Sequence, residues 1–123
     1  MSYPIVGQYF RPPAGAILQV LPAGATLILR PEPSNPFDPN AVQVLVKTTE
    51  IPQEHTDILD AIAQGQGYSA EDIFAAEEWH LGYIPRNMAK DLVKTLPTGD
   101  TQATICFSPS GSARLALKEQ EAE

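Results

Sequence analysis

Short apolar runs separated by proline-rich links fill the first 48 residues. "YPIVGQYF" (3–10) is rich in β-branched and aromatic residues, which predicts a strand, stopped by Pro12-Pro13. "ATLILRPE" (25–32) predicts a second, ended by Pro31 and Pro33. "AVQVLVKT" (41–48) is the clearest third. Val42, Val44 and Val46 alternate with Gln43, Leu45 and Lys47, the period of a half-buried strand. The link between the second and third strands is "NPFDPN" (35–40).

From residue 53 the period changes. "EHTDILDAIAQ" puts Ile58, Leu59 and Ile62 at helical spacing before a "GQG" stop. "SAEDIFAAEEW" opens with Ser69 and Asp72 in a capping-box arrangement, which predicts a second short helix. "HLGYIP" (80–85) returns to strand. "RNMAKDLVKTL" (86–96) predicts a helix whose apolar side is Met88, Leu92, Val93 and Leu96, with Arg86, Lys90 and Lys94 on the other side. "DTQATICF" (100–107) and "SARLALKE" (112–119) predict a final hairpin about Pro109–Gly111. These elements point to a mainly β fold with α additions. The architecture expected is a small SH3-like or OB-like β-barrel, with a short helix after the LGYIPR strand and an inserted acidic helical pair over 48–79.

Composition sharpens this picture. The 123 residues suit one domain, taken as 1–123. The 12 prolines are about twice the usual share, as expected for short strands joined by fixed turns. The single cysteine, Cys106, allows no internal disulfide and no Cys-rich zinc pattern. No apolar run approaches the ~18 residues of a membrane span and no signal sequence opens the chain. The expectation is a soluble, cytoplasmic protein without a membrane partner.

The net charge of −7 argues against nucleic acid only until its distribution is read. Eight of the fifteen acids lie in 48–80: Glu50, Glu54, Asp57, Asp60, Glu71, Asp72, Glu77 and Glu78. Three more, Glu119, Glu121 and Glu123, form an acidic tail over 119–123. The rest carries eight basic residues against four acids, a balance of +4. Phosphate responds to local potential, and screening limits the reach of distant charge to about 10 Å.

Catalytic patterns are missing. His55 and His80 lie 25 residues apart with no cysteine partner and no HExxH spacing. "GQG" (65–67) follows a helix instead of opening one, so it is no phosphate cradle. The chain is expected not to be an enzyme and to use no metal or cofactor.

"LRPEPSNPFDPNAVQVLV" followed by "LGYIPRNMAKDL" resembles the HIRAN domain, a family found on Swi/Snf-type DNA translocases and as stand-alone bacterial and phage proteins. The matching pattern is Arg30, Glu32, Asn35-Pro36-Phe37-Asp38-x-Asn40-Ala41-Val42 and Val44, then Leu81-Gly82-Tyr83-Ile84-Pro85-Arg86. "IVGQYF" fits the family's first strand. The resemblance implies a six-stranded barrel related to SH3 and OB folds. It also implies a grip on the 3′ end of single-stranded DNA. Phe10 and Phe37 would sandwich the terminal base, Asp38 would accept from the free 3′-hydroxyl, and Arg86 would stand near the phosphates. Tyr9 replaces the arginine that commonly precedes the first ring, with Arg11 on the far side of Phe10. The candidate DNA-binding set is Tyr9, Phe10, Arg11, Asn35, Phe37, Asp38, Arg86 and Lys90.

Two readings of "NPFDPN" stay open at this point. Asn35 and Asp38 are turn formers, and Phe37 could fold back on the core. Alternatively Phe37 and Asp38 face a ligand. The competing function is a protein-interaction or inhibitor module, in which acidic residues 50–78 meet a basic partner or imitate DNA. In a hybrid of the two, the insert folds over the basic groove as a lid.

Overall fold

The structure is a computed structural model in which residues 2–7, 12–97 and 99–117 are described. Six strands form one antiparallel sheet: β1 (Ser2–Pro4), β2 (Thr26–Pro31), β3 (Val42–Lys47), β4 (Glu78–Tyr83), β5 (Thr101–Phe107) and β6 (Ala113–Leu117). Their order across the sheet is β1-β6-β5-β2-β3-β4. The sheet curls into a half-barrel of the OB/SH3-like kind.

The chain leaving β1 draws the two sheet edges together. Val6 forms a bridge with Tyr83 at the end of β4, donating to its carbonyl at 2.9 Å and accepting from its N–H at 2.8 Å. Gly82 makes this approach feasible, because a Cβ there would collide with the Val6 carbonyl oxygen. Of the strand expected over 3–10, residues 8–10 lie outside the described residues, and among the rest regular pairing covers Tyr3 and Pro4. Pro4 offers no N–H to extend the ladder, and regular pairing with β6 ends there.

Helix α1 (Ala14–Val20) lies in a stretch where the sequence pattern assigned no element. It buries Ala14, Ala16, Ile17, Leu18 and Val20. It packs against β4 and against α2 (Thr56–Gln64). The helical pair over 53–75 is α2, entered through a 3₁₀ turn at Gln53–His55, and α3 (Ala70–Ala75). The capping box at α3 is formed as its spacing suggests. Ser69 Oγ accepts from Asp72 N at 3.1 Å, and Asp72 Oδ2 accepts from Ser69 N at 2.9 Å. The face of α2 is rotated from the expected one: Leu59 and Ala63 are buried and Ile58 is exposed.

One apolar core joins Leu27 and Leu29 of β2, Val42, Val44 and Val46 of β3, Ile17 of α1, Leu59 and Ala63 of α2, and Ala70 and Ile73 of α3. Each fully buried aliphatic side chain contributes about 1.5–3 kcal/mol relative to exposure. Trp79 seals α3 against the sheet by donating from Nε1 to the Ile73 carbonyl at 2.8 Å, with its ring edge-on to Tyr68. The helical pair over 48–79 is thus packed into the same core as the sheet.

Helix α4 (Arg86–Leu92) follows β4 and stops four residues short of the span expected for it. Ala89 and Leu92 face the core while Met88 lies toward solvent. The outer face of the sheet also buries more than alternation predicts. Ile28 and Leu45, paired across β2 and β3, are 8% and 5% exposed. Arg30 lies on the same face, two residues after Ile28 on β2. Its guanidinium donates to Asp100 at 2.8 and 2.9 Å beside β5 and to Glu78 at 2.8 Å on β4.

Candidate nucleic-acid interface

The β2–β3 link is a bend held by its own side chains. Asn35 Oδ1 accepts from the N–H groups of Phe37 (2.8 Å) and Asp38 (3.2 Å). This is the Asx turn that Asn before Pro favours. Asp38 Oδ1 accepts from Asn40 N at 3.0 Å, and Ala41 N donates to the Asp38 carbonyl at 3.0 Å. Asn35 Nδ2 donates to Glu32 Oε1 at 2.8 Å. The Asn35 side chain is therefore occupied in fixing the bend.

Glu32 has no role in the sequence reading beyond its place in the motif, yet it is the hub of this end of the barrel. Its carboxylate accepts from Asn35, from the Tyr83 hydroxyl at 3.1 Å and from Gln43 Nε2 at 2.6 Å. It ties the bend to β3 and β4. Its spacing of three residues before Asn35 is a signal that could have pointed to it.

Phe37 does not fold back on the core. It is 86% exposed, the most exposed large apolar residue among the described residues. A rigid bend that holds a phenyl ring in water lacks a packing explanation.

Asp38 is recessed instead, with its side chain 18% exposed. Its Oδ2 faces Arg86 Nε at 3.8 Å, too far for a hydrogen bond. Arg86 itself is 79% exposed. The pair stands between two depressions. One, of about 230 Å³, has Val6, Ala41, Tyr83 and Ile84 in its walls together with Asp38 and Arg86. The other, of about 560 Å³, is bordered by Asp38, Pro39, Asn40, Arg86, Asn87 and Lys90. The structure thus brings Asn35, Phe37, Asp38, Arg86 and Lys90 to one end of the barrel. Tyr9, Phe10 and Arg11 lie outside the described residues.

The cations divide by partner. Arg30 is bound to Asp100 and Glu78, and the hydrogen bond it donates to Asp100 raises the guanidinium further above its already high value. In return the Asp100 carboxyl is held below the usual carboxylate range, chiefly by that same hydrogen bond. Arg114 donates to the Ser2 hydroxyl at 2.8 Å and its carbonyl at 3.0 Å. Lys94 lies beyond the end of α4 and 3.9 Å from Asp91. Arg86 and Lys90 remain directed at the two depressions.

The acids of 48–80 divide likewise. Glu50 accepts from Thr26 N at 2.8 Å, Asp60 from Ala70 N at 2.8 Å, Asp72 caps α3, and Glu78 holds Arg30. Half of the eight therefore stabilise the fold.

A family model for the HIRAN domain matches residues 1–120 of the 123. The chain belongs to the HIRAN family. No curated protein and no solved structure matches it. HIRAN domains are DNA-binding modules, so membership supports nucleic-acid binding. Glu32, Asn35 and Tyr83 hold the bend, which carries Phe37 and Asp38, and Arg86 faces Asp38 from α4. Among the described residues no His, Cys, Asp and Glu cluster could hold a metal, and no helix is long and apolar enough to cross a membrane.

Proposed function

We propose that this protein is a non-enzymatic module that binds the 3′ end of single-stranded DNA. The observation that carries the reading is the pairing of an 86%-exposed Phe37 with a recessed Asp38 on one pinned bend. An exposed ring face stacks a nucleobase for about 1–3 kcal/mol without base preference. A carboxylate beside it is hostile to phosphate and suited to a hydroxyl donor, which is what a free 3′ end offers. Asp38 Oδ1 is already occupied by Asn40 N, and Oδ2 lies beyond hydrogen-bond reach of Arg86. Oδ2 is the acceptor assigned to the 3′-hydroxyl. Arg86 and Lys90 hold the neighbouring phosphates and release counterions on binding.

The test is a fluorescence-anisotropy titration of labelled oligonucleotides ending in 3′-hydroxyl or 3′-phosphate, with a blunt duplex as control, at two salt concentrations. The 3′-hydroxyl strand is expected to bind tightest, with affinity falling as salt rises. Equal affinity for all three would exclude end recognition.

A further inference from the structure

Around the smaller depression, most hydrogen-bonding groups of the described residues are already paired within the protein. The Tyr83 hydroxyl donates to Glu32, and both ends of the Asn35 carboxamide are used by the bend. The backbone along the wall is closed as well. Val6 exchanges two hydrogen bonds with Tyr83. Ala41 donates to the Asp38 carbonyl and accepts from Glu32 N, and Ile84 N donates to the Val42 carbonyl. Val6 is nevertheless 41% exposed, so the wall meets solvent with apolar surface. A ligand seated there meets Asp38 Oδ2, Arg86 and carbon.

We propose that this wall selects the sugar of the terminal nucleotide, accepting 2′-deoxyribose and rejecting ribose. The inference rests on the end-binding reading above. The 2′ carbon is bonded to the carbon that carries the 3′-hydroxyl, so anchoring that hydroxyl on Asp38 Oδ2 holds the 2′ position against the same wall. A methylene there leaves water without losing a hydrogen bond. A 2′-hydroxyl leaves water and finds the N–H and C=O groups of the wall taken. A carboxylate with both oxygens free would suit the neighbouring hydroxyls of ribose, but Asp38 Oδ1 already accepts from Asn40 N. Stacking on Phe37 and the phosphate contact at Arg86 are the same for either sugar, so the choice falls to the wall. An apolar site rejects an added hydroxyl by up to about a hundredfold.

The test uses the full chain and three DNA strands of one sequence, each with a free 3′-hydroxyl, titrated by anisotropy. They differ only at the 2′ position of the last nucleotide, which carries hydrogen, hydroxyl or fluorine. The deoxy end is expected to bind about tenfold tighter than the ribo end, within the range that an unpaired hydroxyl gives. Fluorine keeps the ring pucker of ribose and removes the hydroxyl, so the fluoro end should bind within about threefold of the deoxy end. Val6→Thr puts a hydroxyl on the wall in place of a methyl group and should narrow the gap between deoxy and ribo ends. Equal affinity for deoxy and ribo ends, alongside intact selectivity for 3′-hydroxyl over 3′-phosphate, would overturn this inference and leave the end-binding reading standing. A fluoro end as weak as the ribo end, or a gap that Val6→Thr leaves unchanged, would overturn it as well. Failure of all three strands to bind would overturn both readings.

Discussion

Replacing Phe37 with alanine separates a residue kept for the fold from one kept for a ligand. At 86% exposure, about one-seventh of its surface meets the protein. A phenylalanine that buries ~200 Å² when fully enclosed therefore buries roughly 30 Å² here, worth about 0.7 kcal/mol at ~25 cal/mol per Å². A core phenylalanine cut to alanine costs about 3–5 kcal/mol. Loss of one stacked base costs about 1–3 kcal/mol of binding, which is a five- to 150-fold weaker Kd. Urea denaturation and anisotropy on the same preparations measure both quantities. The expected result is a stability change under about 1 kcal/mol with at least a fivefold loss of affinity for a 3′-hydroxyl strand. A destabilisation above about 2 kcal/mol would mean that the ring packs on the core. Unchanged affinity at unchanged stability would refute the stacking role.

Three further changes probe the scaffold and its charges. Gly82→Ala places a methyl group on the Val6 carbonyl oxygen and disrupts both hydrogen bonds of the bridge, so urea denaturation should show a loss of about 2 kcal/mol or more. A neutral outcome would mean that the bridge does not hold the barrel edges together. Glu32→Ala leaves the donors of Asn35, Gln43 and Tyr83 without their acceptor, with an expected cost of about 1–3 kcal/mol in denaturation. DNA affinity should fall with it, because the bend loses its anchor, and wild-type affinity in a folded variant would contradict that role. For Asp100, the folded carboxyl titrates below its ordinary ~3.9, so its stabilisation is present above that pH and is lost as pH falls through the folded value. Asp100→Asn should therefore cost under about 1 kcal/mol at neutral pH, discounted because the group is 46% exposed, and the gap to wild type should close below about pH 4. A gap that widens on acidification would reverse the assignment.

Strands β2, β3, β5 and β6 were legible because each is an apolar run bounded by Pro, Gly or Ser turns. The α3 cap was legible because Ser69 and Asp72 sit at the required spacing. Helix α1 was not read, although Ala14, Ile17, Leu18 and Leu21 fall at i, i+3, i+4 and i+7. The prolines at 12, 13 and 22 masked a seven-residue helix that exists mainly through tertiary burial. The burial of Leu45 was hidden for another reason. Alternation describes one sheet face, and Leu45 is buried on the second, where Arg30 holds partners 48 and 70 residues away.

The site divides in the same way. Turn chemistry located the bend, since Asn35 before Pro36 and Asp38 before Pro39 both favour it. It gave no direction for Phe37, because a pinned turn can point a ring inward or outward. The structure gives the ring outward, on a bend that Glu32 fastens to Tyr83 and Gln43. Charge counting placed a +4 balance outside the acidic segments, but pairing decides which cations remain directed at a ligand. Arg30 and Arg114 are engaged by the protein, while Arg86 and Lys90 border the depressions beside Asp38.

The most direct measurement is the ratio of Kd for a 3′-phosphate strand to Kd for the matching 3′-hydroxyl strand, in wild type and in Asp38→Asn. Wild type is expected to give a ratio of at least about tenfold, since a phosphate both removes the donor and adds repulsion at Asp38 Oδ2. Asp38→Asn should bring the ratio near one, because the amide no longer repels phosphate and accepts less strongly from a hydroxyl. A wild-type ratio near one, or a large ratio that persists in Asp38→Asn, would contradict the assignment of Asp38 as the group that recognises a free 3′ end.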